Sequence, residues 1–307
     1  MSRIRGWAEL LRLPALFTVP GDAFAGAAAA SATPTSRTLL AIGSSLCLYD
    51  AGMALNDWAD RAEDAVDRPH RPLPSGRIHP NAALAAACAL TGAGLTLAAR
   101  AGRPALAVAV PLAATVWAYD LHLKHTPAGP PAMAAARGLD LLLGAAATSG
   151  HTRKALSSAA LLATHTLAVT AVSRQETRDG SPLAALAALA TTGLLTRLLT
   201  RTASQHPPGR GQAATHALPV GPRATAADPA LRLALGAAYA ATVARPYLHA
   251  TLNPSPPLTQ RAVSSGIRAT IPLQAALTAR SGAGVSALFV AALAPLGRRF
   301  ARKVSVT

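Results

Sequence analysis

The sequence predicts an all-α protein that crosses a membrane repeatedly. Of its 307 residues, 51% are hydrophobic and only 14% are charged. The hydrophobic residues are gathered in blocks of roughly 16 to 22 residues, several of which reach the ~20 residues that a helix needs to span the hydrocarbon of a bilayer. The alanine, glycine and serine content of these blocks suits helices that pack closely in lipid.

Nine such blocks can be delimited, and they predict a bundle of about nine transmembrane helices in a single domain that covers residues 1–307. The stretch 259–280 is ambiguous, since it suits either a further span or a helix at the membrane interface. The connection 201–228 contains several prolines and is predicted to be a loop. The blocks are residues 14–31, 38–56, 82–99, 104–119, 130–149, 155–173, 181–200, 229–250 and 282–297.

The net charge of +16 comes mainly from arginines in the short segments between the blocks. These arginines form no single stripe with interleaved aromatic residues, so nucleic acid is not a predicted partner. Contact with membrane lipids and with an anionic substrate explains the charge better. The connection after the second block is the most basic one, which predicts a cytoplasmic location for it and for the loops near Lys124 and Arg174. The basic C-terminus would lie outside after nine spans, and the sequence leaves this conflict open.

The acidic residues are concentrated in one segment, residues 56–77. The whole protein has 13 acidic residues, and five of them lie here: Asp57, Asp60, Glu63, Asp64 and Asp67. Three arginines follow them: Arg68, Arg71 and Arg77. Carboxylates this dense in an apolar chain are costly unless a metal ion or basic groups satisfy them. The segment therefore predicts a divalent cation that holds a polyanion.

The spacing of this segment supports a metal site. On a continuous helix, Asn56, Asp60 and Asp64 share one broad face, and Asp57 lies at its edge. Oxygen ligands on adjacent turns suit Mg²⁺, which prefers oxygen and is often completed by substrate phosphates. The guanidinium groups of the three arginines suit phosphate, because they can bind it with two hydrogen bonds.

The segment resembles the first aspartate-rich motif, NDxxDxxxD, of the UbiA superfamily of membrane prenyltransferases. The sequence RPLPSGRI, which begins at Arg71, is similar to the stretch that comes after this motif in the family. The resemblance implies a membrane enzyme whose central cavity binds a prenyl diphosphate through Mg²⁺. It implies transfer of the prenyl group to a small hydrophobic or aromatic acceptor, or to a lipid. The implied metal ligands are Asn56, Asp57, Asp60 and Asp64, of which Asp60 and Asp64 are expected to be essential for catalysis, with Arg68 and Arg71 binding the diphosphate.

The end of the sixth block departs from the family, which usually has a second motif, DxxxD, there. Glu176 and Asp179 are three residues apart, and the position of the motif's earlier aspartate is held by Val172. Glu176 and Asp179 are candidate ligands of a second Mg²⁺ and share a helix face. Alternatively, Arg174 and Arg178 bind the diphosphate in place of that ion. An ordinary charged loop is a third interpretation of this segment.

Tyr119 and Lys124, at the end of the fourth block, resemble a family segment that contacts the diphosphate. The alternative for Lys124 is a side chain that merely extends toward the membrane surface from a helix end. We expect Lys124 to contribute to catalysis as well as to diphosphate binding.

Charged residues within the blocks are functional candidates, because charge is expensive inside a membrane. Asp50 precedes Asp57 by two helical turns and is predicted to face the same cavity, where it would bind the acceptor or accept its proton. Asp22 is a weaker candidate of the same kind. Arg137 and Asp140 are expected to pair with each other, since they are three residues apart on a helix.

Two other functions fit part of the pattern. The CDP-alcohol phosphotransferases also place aspartates on membrane helices, but their DGxxAR opening is absent from this sequence. A non-enzymatic transporter or lipid-binding membrane protein could retain one metal motif while the second is altered. The prenyltransferase remains the first hypothesis, because two distinct family elements occur in the right order.

Overall fold

The computed structural model describes residues 3–175, 181–201 and 229–304, and all regular elements in these ranges are helical. This confirms the predicted all-α class. The α-helices are α1 (Arg3–Leu10), α2 (Pro20–Ala29), α3 (Ser36–Ala59), α4 (Arg61–Asp67), α5 (Pro80–Ala101), α6 (Arg103–Ala118), α7 (Gly129–Ser149), α8 (Leu156–Ser173), α9 (Pro182–Thr200), α10 (Pro229–Leu252), α11 (Pro256–Arg280) and α12 (Gly284–Val304). Short 3₁₀-helices cover Leu13–Thr18 and Arg153–Ala155, and a π-helical turn covers Tyr119–Leu123.

Five segments of the described chain are long and apolar enough to cross a membrane: Ser36–Ala59, Pro80–Ala101, Arg103–Leu123, Arg153–Ser173 and Pro182–Thr200. They correspond to α3, α5, α6, α8 and α9 with their adjoining turns. Helices α7, α10, α11 and α12 have 21 to 25 residues but fall outside these five. A membrane bundle is therefore confirmed, whereas the number of nine spans stays a prediction.

The first apolar block, residues 14–31, does not form one long helix. It divides into the 3₁₀-helix Leu13–Thr18 and the ten-residue helix α2. Pro20 is the first residue of α2, a position that proline favours because its missing N–H needs no partner there. The same proline would interrupt the hydrogen bonds of a helix that continued through it.

The ambiguous stretch 259–280 belongs to α11, a 25-residue helix of which 15 residues are buried. This helix packs against α2, α8, α9, α10 and α12, so it lies within the bundle. Its polar residues explain why the sequence pattern is ambiguous. The amide of Gln274, which is fully buried, donates hydrogen bonds of 2.7 Å to the carbonyl of Thr18 and to Oδ1 of Asp22.

The remaining helices pack mostly against their neighbours in sequence, with α2 contacting α3, α7, α11 and α12. Close approach of α2 and α7 depends on Gly144. A Cβ atom at this position would overlap the backbone of Ala23, so only glycine allows the two helices to meet here. Helices α3 and α6 also pack against α7, and the three helices line a cavity that extends toward the aspartate-rich segment.

Candidate active site

The aspartate-rich segment bends at Asp60. Helix α3 ends at Ala59, Asp60 has φ −84° and ψ 3°, and α4 begins at Arg61. The predicted continuous helix through Asn56, Asp60 and Asp64 is therefore interrupted at Asp60, although the N–H of Asp60 still bonds to the carbonyl of Asn56 and the N–H of Asp64 to that of Asp60. Asp64 lies on the separate short helix α4, where it is buried.

Asp57 and Asp64 share the guanidinium group of Arg71. Nη1 of Arg71 lies 2.7 Å from Oδ2 of Asp64 and 3.6 Å from Oδ1 of Asp57. Arg12 approaches Oδ1 of Asp57 to 3.2 Å, and Arg68 approaches Oδ1 of Asp64 to 3.4 Å. Asp57 is only 5% exposed, although it follows Asn56 on α3 and so lies at the edge of the predicted acidic face. It lies inside the cluster because basic groups approach it from two sides.

Asp60 is the centre of a second group. It forms an ion pair with Lys124, and Nε2 of His125 lies 3.8 Å from its Oδ1. Ligand atoms of Asp60, Glu63 and His125 all lie within 4.8 Å of one another. Among the described residues, this is the group of three such side chains that is arranged closely enough to hold one metal ion. Lys124 thus reaches the aspartate-rich segment through Asp60, and its predicted role toward the diphosphate stays a prediction.

Asp120 is a buried carboxylate that is not among the predicted site residues. It is 4% exposed, and its Oδ1 accepts a hydrogen bond of 3.1 Å from the amide of Asn56. It lies in the π-helical turn, in which the N–H of Lys124 bonds to the carbonyl of Tyr119, five residues earlier. Asp120 directly follows the apolar block 104–119, and a carboxylate at that place is the signal in the sequence that could have revealed it.

The cavity has a volume of about 230 Å³ and is lined mainly by α3, α6 and α7. Arg12, Asn56, Tyr119 and Asp120 lie toward the aspartate-rich segment, and we call this end the mouth. Asp50 does not line the cavity, contrary to its prediction. Its Oδ1 is buried without a hydrogen-bond partner among the described residues.

The far end of the cavity, which we call the floor, is formed by Ser45, Arg137 and Asp140. Asp140 accepts a hydrogen bond from Ser45, and Nε of Arg137 lies 3.1 Å from Oδ2 of Asp22. The ion pair that forms is therefore between Arg137 and Asp22, and the expected ion pair between Arg137 and Asp140 is wrong. Helix α2 supplies the carboxylate that Arg137 contacts, and sequence spacing along α7 could not reveal it.

The second motif begins beside the mouth. Nη1 of Arg174 donates a hydrogen bond to the carbonyl of Thr126, in the loop that follows Lys124 and His125. Val172, which holds the place of the motif's earlier aspartate, is 1% exposed and belongs to the hydrophobic core. The other predicted residues of this segment, Glu176, Arg178 and Asp179, lie outside the described residues.

A sequence model of the UbiA prenyltransferase family matches residues 16–194, more than half of the chain. The protein belongs to the UbiA prenyltransferase family. The match includes the aspartate-rich segment, the π-helical turn and Arg174. It ends within α9, so α10, α11 and α12 lie beyond it.

Among curated relatives, the digeranylgeranylglyceryl phosphate synthase of Natronomonas pharaonis is 32% identical over 182 residues, which cover 59% of this chain and 66% of that protein. The synthase of the same name from Methanothrix thermoacetophila is 39% identical over 112 residues, covering 36% of this chain and 42% of that protein. The chain thus matches less than two thirds of the length of these relatives.

Solved structures show the same fold. A UbiA homologue from Aeropyrum pernix superposes with a TM-score of 0.62 at 18% identity, covering 85% of this chain and 96% of that one. A structure of digeranylgeranylglyceryl phosphate synthase superposes with a TM-score of 0.61 at 18% identity, covering 92% of this chain and 99% of that one. A UbiA homologue from Archaeoglobus fulgidus, bound to DMAPP and Mg²⁺, superposes with a TM-score of 0.58 at 15% identity, covering 86% of this chain and 98% of that one.

Proposed function

We propose that this UbiA family member is a Mg²⁺-dependent membrane prenyltransferase, which transfers a prenyl group from a prenyl diphosphate to an acceptor within the membrane. One observation supports this most directly: carboxylates and basic groups alternate around the mouth of an otherwise largely apolar cavity. The carboxylates are those of Asp57, Asp60, Asp64 and Asp120, and the basic groups are those of Arg12, Arg68, Arg71 and Lys124.

The side chains at the mouth fit Mg²⁺. They offer carboxylate and amide oxygens, which this hard cation prefers, and the carboxylates of Asp60 and Glu63 already lie close together. We propose Asn56, Asp57, Asp60 and Asp64 as the residues that would hold the ion. When bound, Mg²⁺ would neutralise charge on the diphosphate and so make it a better leaving group. Glu176 and Asp179 remain proposed ligands of a second ion.

The basic groups at the mouth can take up the remaining charge of the diphosphate. Arg68, Arg71 and Lys124 are proposed for this role with Tyr119, Arg174 and Arg178, and Arg12 joins them because it lines the cavity. In the reaction, the bond between the diphosphate oxygen and the first prenyl carbon breaks, and the electron pair leaves with the diphosphate. A new bond then forms between that carbon and the acceptor, which loses a proton. The apolar walls favour this outcome because they exclude water from the allylic cation.

The named activity of the curated relatives suggests a glycerophosphate-type lipid as one acceptor class, beside the aromatic class expected from the sequence. Either would reach the cavity from the membrane. We further propose that the mouth faces the cytoplasm, since the loops around it carry many of the arginines.

The decisive experiment incubates the protein, purified in detergent, with radiolabelled dimethylallyl, geranyl, farnesyl or geranylgeranyl diphosphate and a cell lipid extract. We expect Mg²⁺-dependent movement of label into an extractable product, which is lost in Asp60→Ala. Absence of such transfer with every donor would overturn the proposal. Binding of a donor without any transfer would instead support the non-enzymatic alternative of a transporter or lipid-binding protein.

A further inference from the structure

The floor of the cavity is as polar as the mouth. Ser45 and Asp140 are 3% and 8% exposed, and they are hydrogen-bonded to each other. Behind them Arg137 contacts Asp22, whose Oδ1 accepts the 2.7 Å hydrogen bond from Gln274. Helices α3 and α7 therefore supply the polar side chains that line this end of the cavity, and α2 and α11 supply the polar side chains behind them.

The mouth and the floor are well separated. Asn56 and Ser45 both line the cavity from α3, and their offset of eleven positions along the helix corresponds to a rise of about 16 Å. The walls between them are mainly apolar and include Leu48, Met53 and Val116. A molecule that fills the cavity thus meets polar groups at both ends and apolar groups along its middle.

The chemistry of the floor argues against a hydrocarbon end there. A prenyl chain reaching the floor would lie against hydroxyl, guanidinium and carboxylate groups and offer none of them a hydrogen bond. The floor is also poorly suited to an anion. Asp22 and Asp140 hydrogen-bond to each other and share the single guanidinium of Arg137, so the charge of this guanidinium is already offset and a phosphate or carboxylate would gain little net attraction.

We infer, resting on the proposed prenyltransferase function, that Ser45, Arg137 and Asp140 recognise a neutral hydroxyl group at the far end of a compact acceptor. The nucleophilic end of this acceptor points toward the mouth, where the donor diphosphate binds. The cavity volume of about 230 Å³ lies below the ~300–1,000 Å³ typical of sites for drug-sized ligands, which favours a small molecule. This acceptor class differs from the phosphate-bearing product in the name of the curated relatives.

Three probes with the same nucleophilic end test the inference: 2-naphthol, 2,6-dihydroxynaphthalene and 6-hydroxy-2-naphthoate. Their far ends carry hydrogen, a hydroxyl group and a carboxylate. Calorimetric titration of the full chain in detergent, with and without Mg²⁺ and geranyl thiodiphosphate, gives their dissociation constants. We expect the diol to bind roughly tenfold more tightly than 2-naphthol, as one buried hydrogen bond allows, and the carboxylate to bind more weakly than either.

Two variants test whether the floor causes the preference for the diol over 2-naphthol, and a third variant is a control for changes in packing. Ser45→Ala and Asp140→Asn should reduce the preference for the diol over 2-naphthol. Ser44→Ala should retain it, because Ser44 is also buried on α3 but bonds to the carbonyl of Gly94 and does not line the cavity. If Asp140→Asn fails to fold, the comparison of Ser45→Ala with its control Ser44→Ala is sufficient to test the inference.

The inference is overturned if the carboxylate probe binds at least as tightly as the diol, or if Ser45→Ala keeps the full preference. Geranyl thiodiphosphate binding is read separately. If this donor analogue shows no Mg²⁺-dependent binding while the diol still binds more tightly than 2-naphthol, the proposed transfer reaction is contradicted and the inferred hydroxyl site is not.

Discussion

The side-chain amide of Asn56 donates a hydrogen bond to the carboxylate of Asp120, 64 residues further along the chain. This bond joins the end of α3 to the π-helical turn that follows α6. It places a further carboxylate beside those of Asp57, Asp60 and Asp64, at the mouth of the cavity. Asn56 therefore orients Asp120, in addition to its proposed role as an oxygen ligand of Mg²⁺.

Asp120 should be required for activity. Asp120→Asn retains an acceptor for Asn56 but removes a negative charge from the mouth, so we expect kcat to fall roughly 100-fold if this charge helps to hold Mg²⁺. Initial rates across a Mg²⁺ titration would measure the loss. Asp67→Asn is the matched control, because Asp67 lies exposed at the end of α4. Equal rates in the two variants would show that Asp120 has only a structural role.

The buried position of Asp57 reverses an expectation from helix projection, by which Asp57→Asn would be milder than Asp60→Asn. Asp57 contacts both Arg12 and Arg71, so its loss disturbs two basic groups at once. We expect Asp57→Asn to lose at least as much activity as Asp60→Asn, and Asp60→Ala or Asp64→Ala to be nearly inactive. Turnover of the two asparagine variants, compared at equal folded protein, checks this order. A clearly milder Asp57→Asn would place that carboxylate outside the reaction.

The second motif can be tested by metal dependence. If Glu176 is a ligand of a second ion, Glu176→Gln should raise the Mg²⁺ concentration needed for half-maximal activity. If arginines replace that ion, Glu176→Gln should leave this concentration unchanged, and Arg178→Ala should weaken donor binding by about 1.5–3 kcal/mol. Unchanged metal dependence and donor affinity in both variants would exclude the segment from the site.

Restoring the missing aspartate should not be tolerated. Val172 is 1% exposed and packs in the hydrophobic core, so Val172→Asp would bury a carboxylate without a partner. We expect the variant to be destabilised by several kcal/mol, visible as poor folding in detergent. Val172→Ala, which removes volume without adding charge, is the control for lost packing. A well-folded Val172→Asp with a lowered Mg²⁺ requirement would contradict this expectation.

The acidic and basic character of residues 56–77 could be predicted from the sequence, because it depends only on residue types and on short spacings along the chain. The bend at Asp60 could not, since no residue in that stretch forbids a continuous helix. Arg12 could not be predicted either. It precedes the first apolar block, and only the folding of the 3₁₀-helix after it brings its guanidinium to Asp57. Partners this distant in sequence leave no periodic pattern.

The orientation in the membrane can be measured by cysteine labelling. Val66 is 81% exposed on α4, so Val66→Cys, in a background with Cys47→Ala and Cys88→Ala, offers an accessible thiol near the mouth. We expect a membrane-impermeant reagent to label it in inverted vesicles and not in intact cells. Thr33→Cys, before the opposite end of α3, should show the reverse pattern. Labelling of Val66→Cys in intact cells would invert the proposed topology.

The packing of α2 against α7 predicts a contrast between two glycines. Gly144→Ala should destabilise the protein by roughly 1–3 kcal/mol, because its Cβ would overlap the backbone of Ala23. Gly193→Ala, within α9, meets no atom within 4 Å and should stabilise the helix by up to about 1 kcal/mol. Thermal unfolding in detergent compares the two. Similar melting temperatures would mean that α2 and α7 can separate without cost.

The π-helical turn Tyr119–Leu123 contains one residue more than an α-helical turn would need. Deleting the exposed Leu121 would restore the α-helical register and rotate each following side chain by about 100° around the helix axis. Lys124 would then point away from Asp60, although no charged residue had been replaced. The insertion of a single residue is thus enough to bring Lys124 to Asp60. Deletion of that residue would break this contact, and a comparison of substitutions alone would not reveal the change.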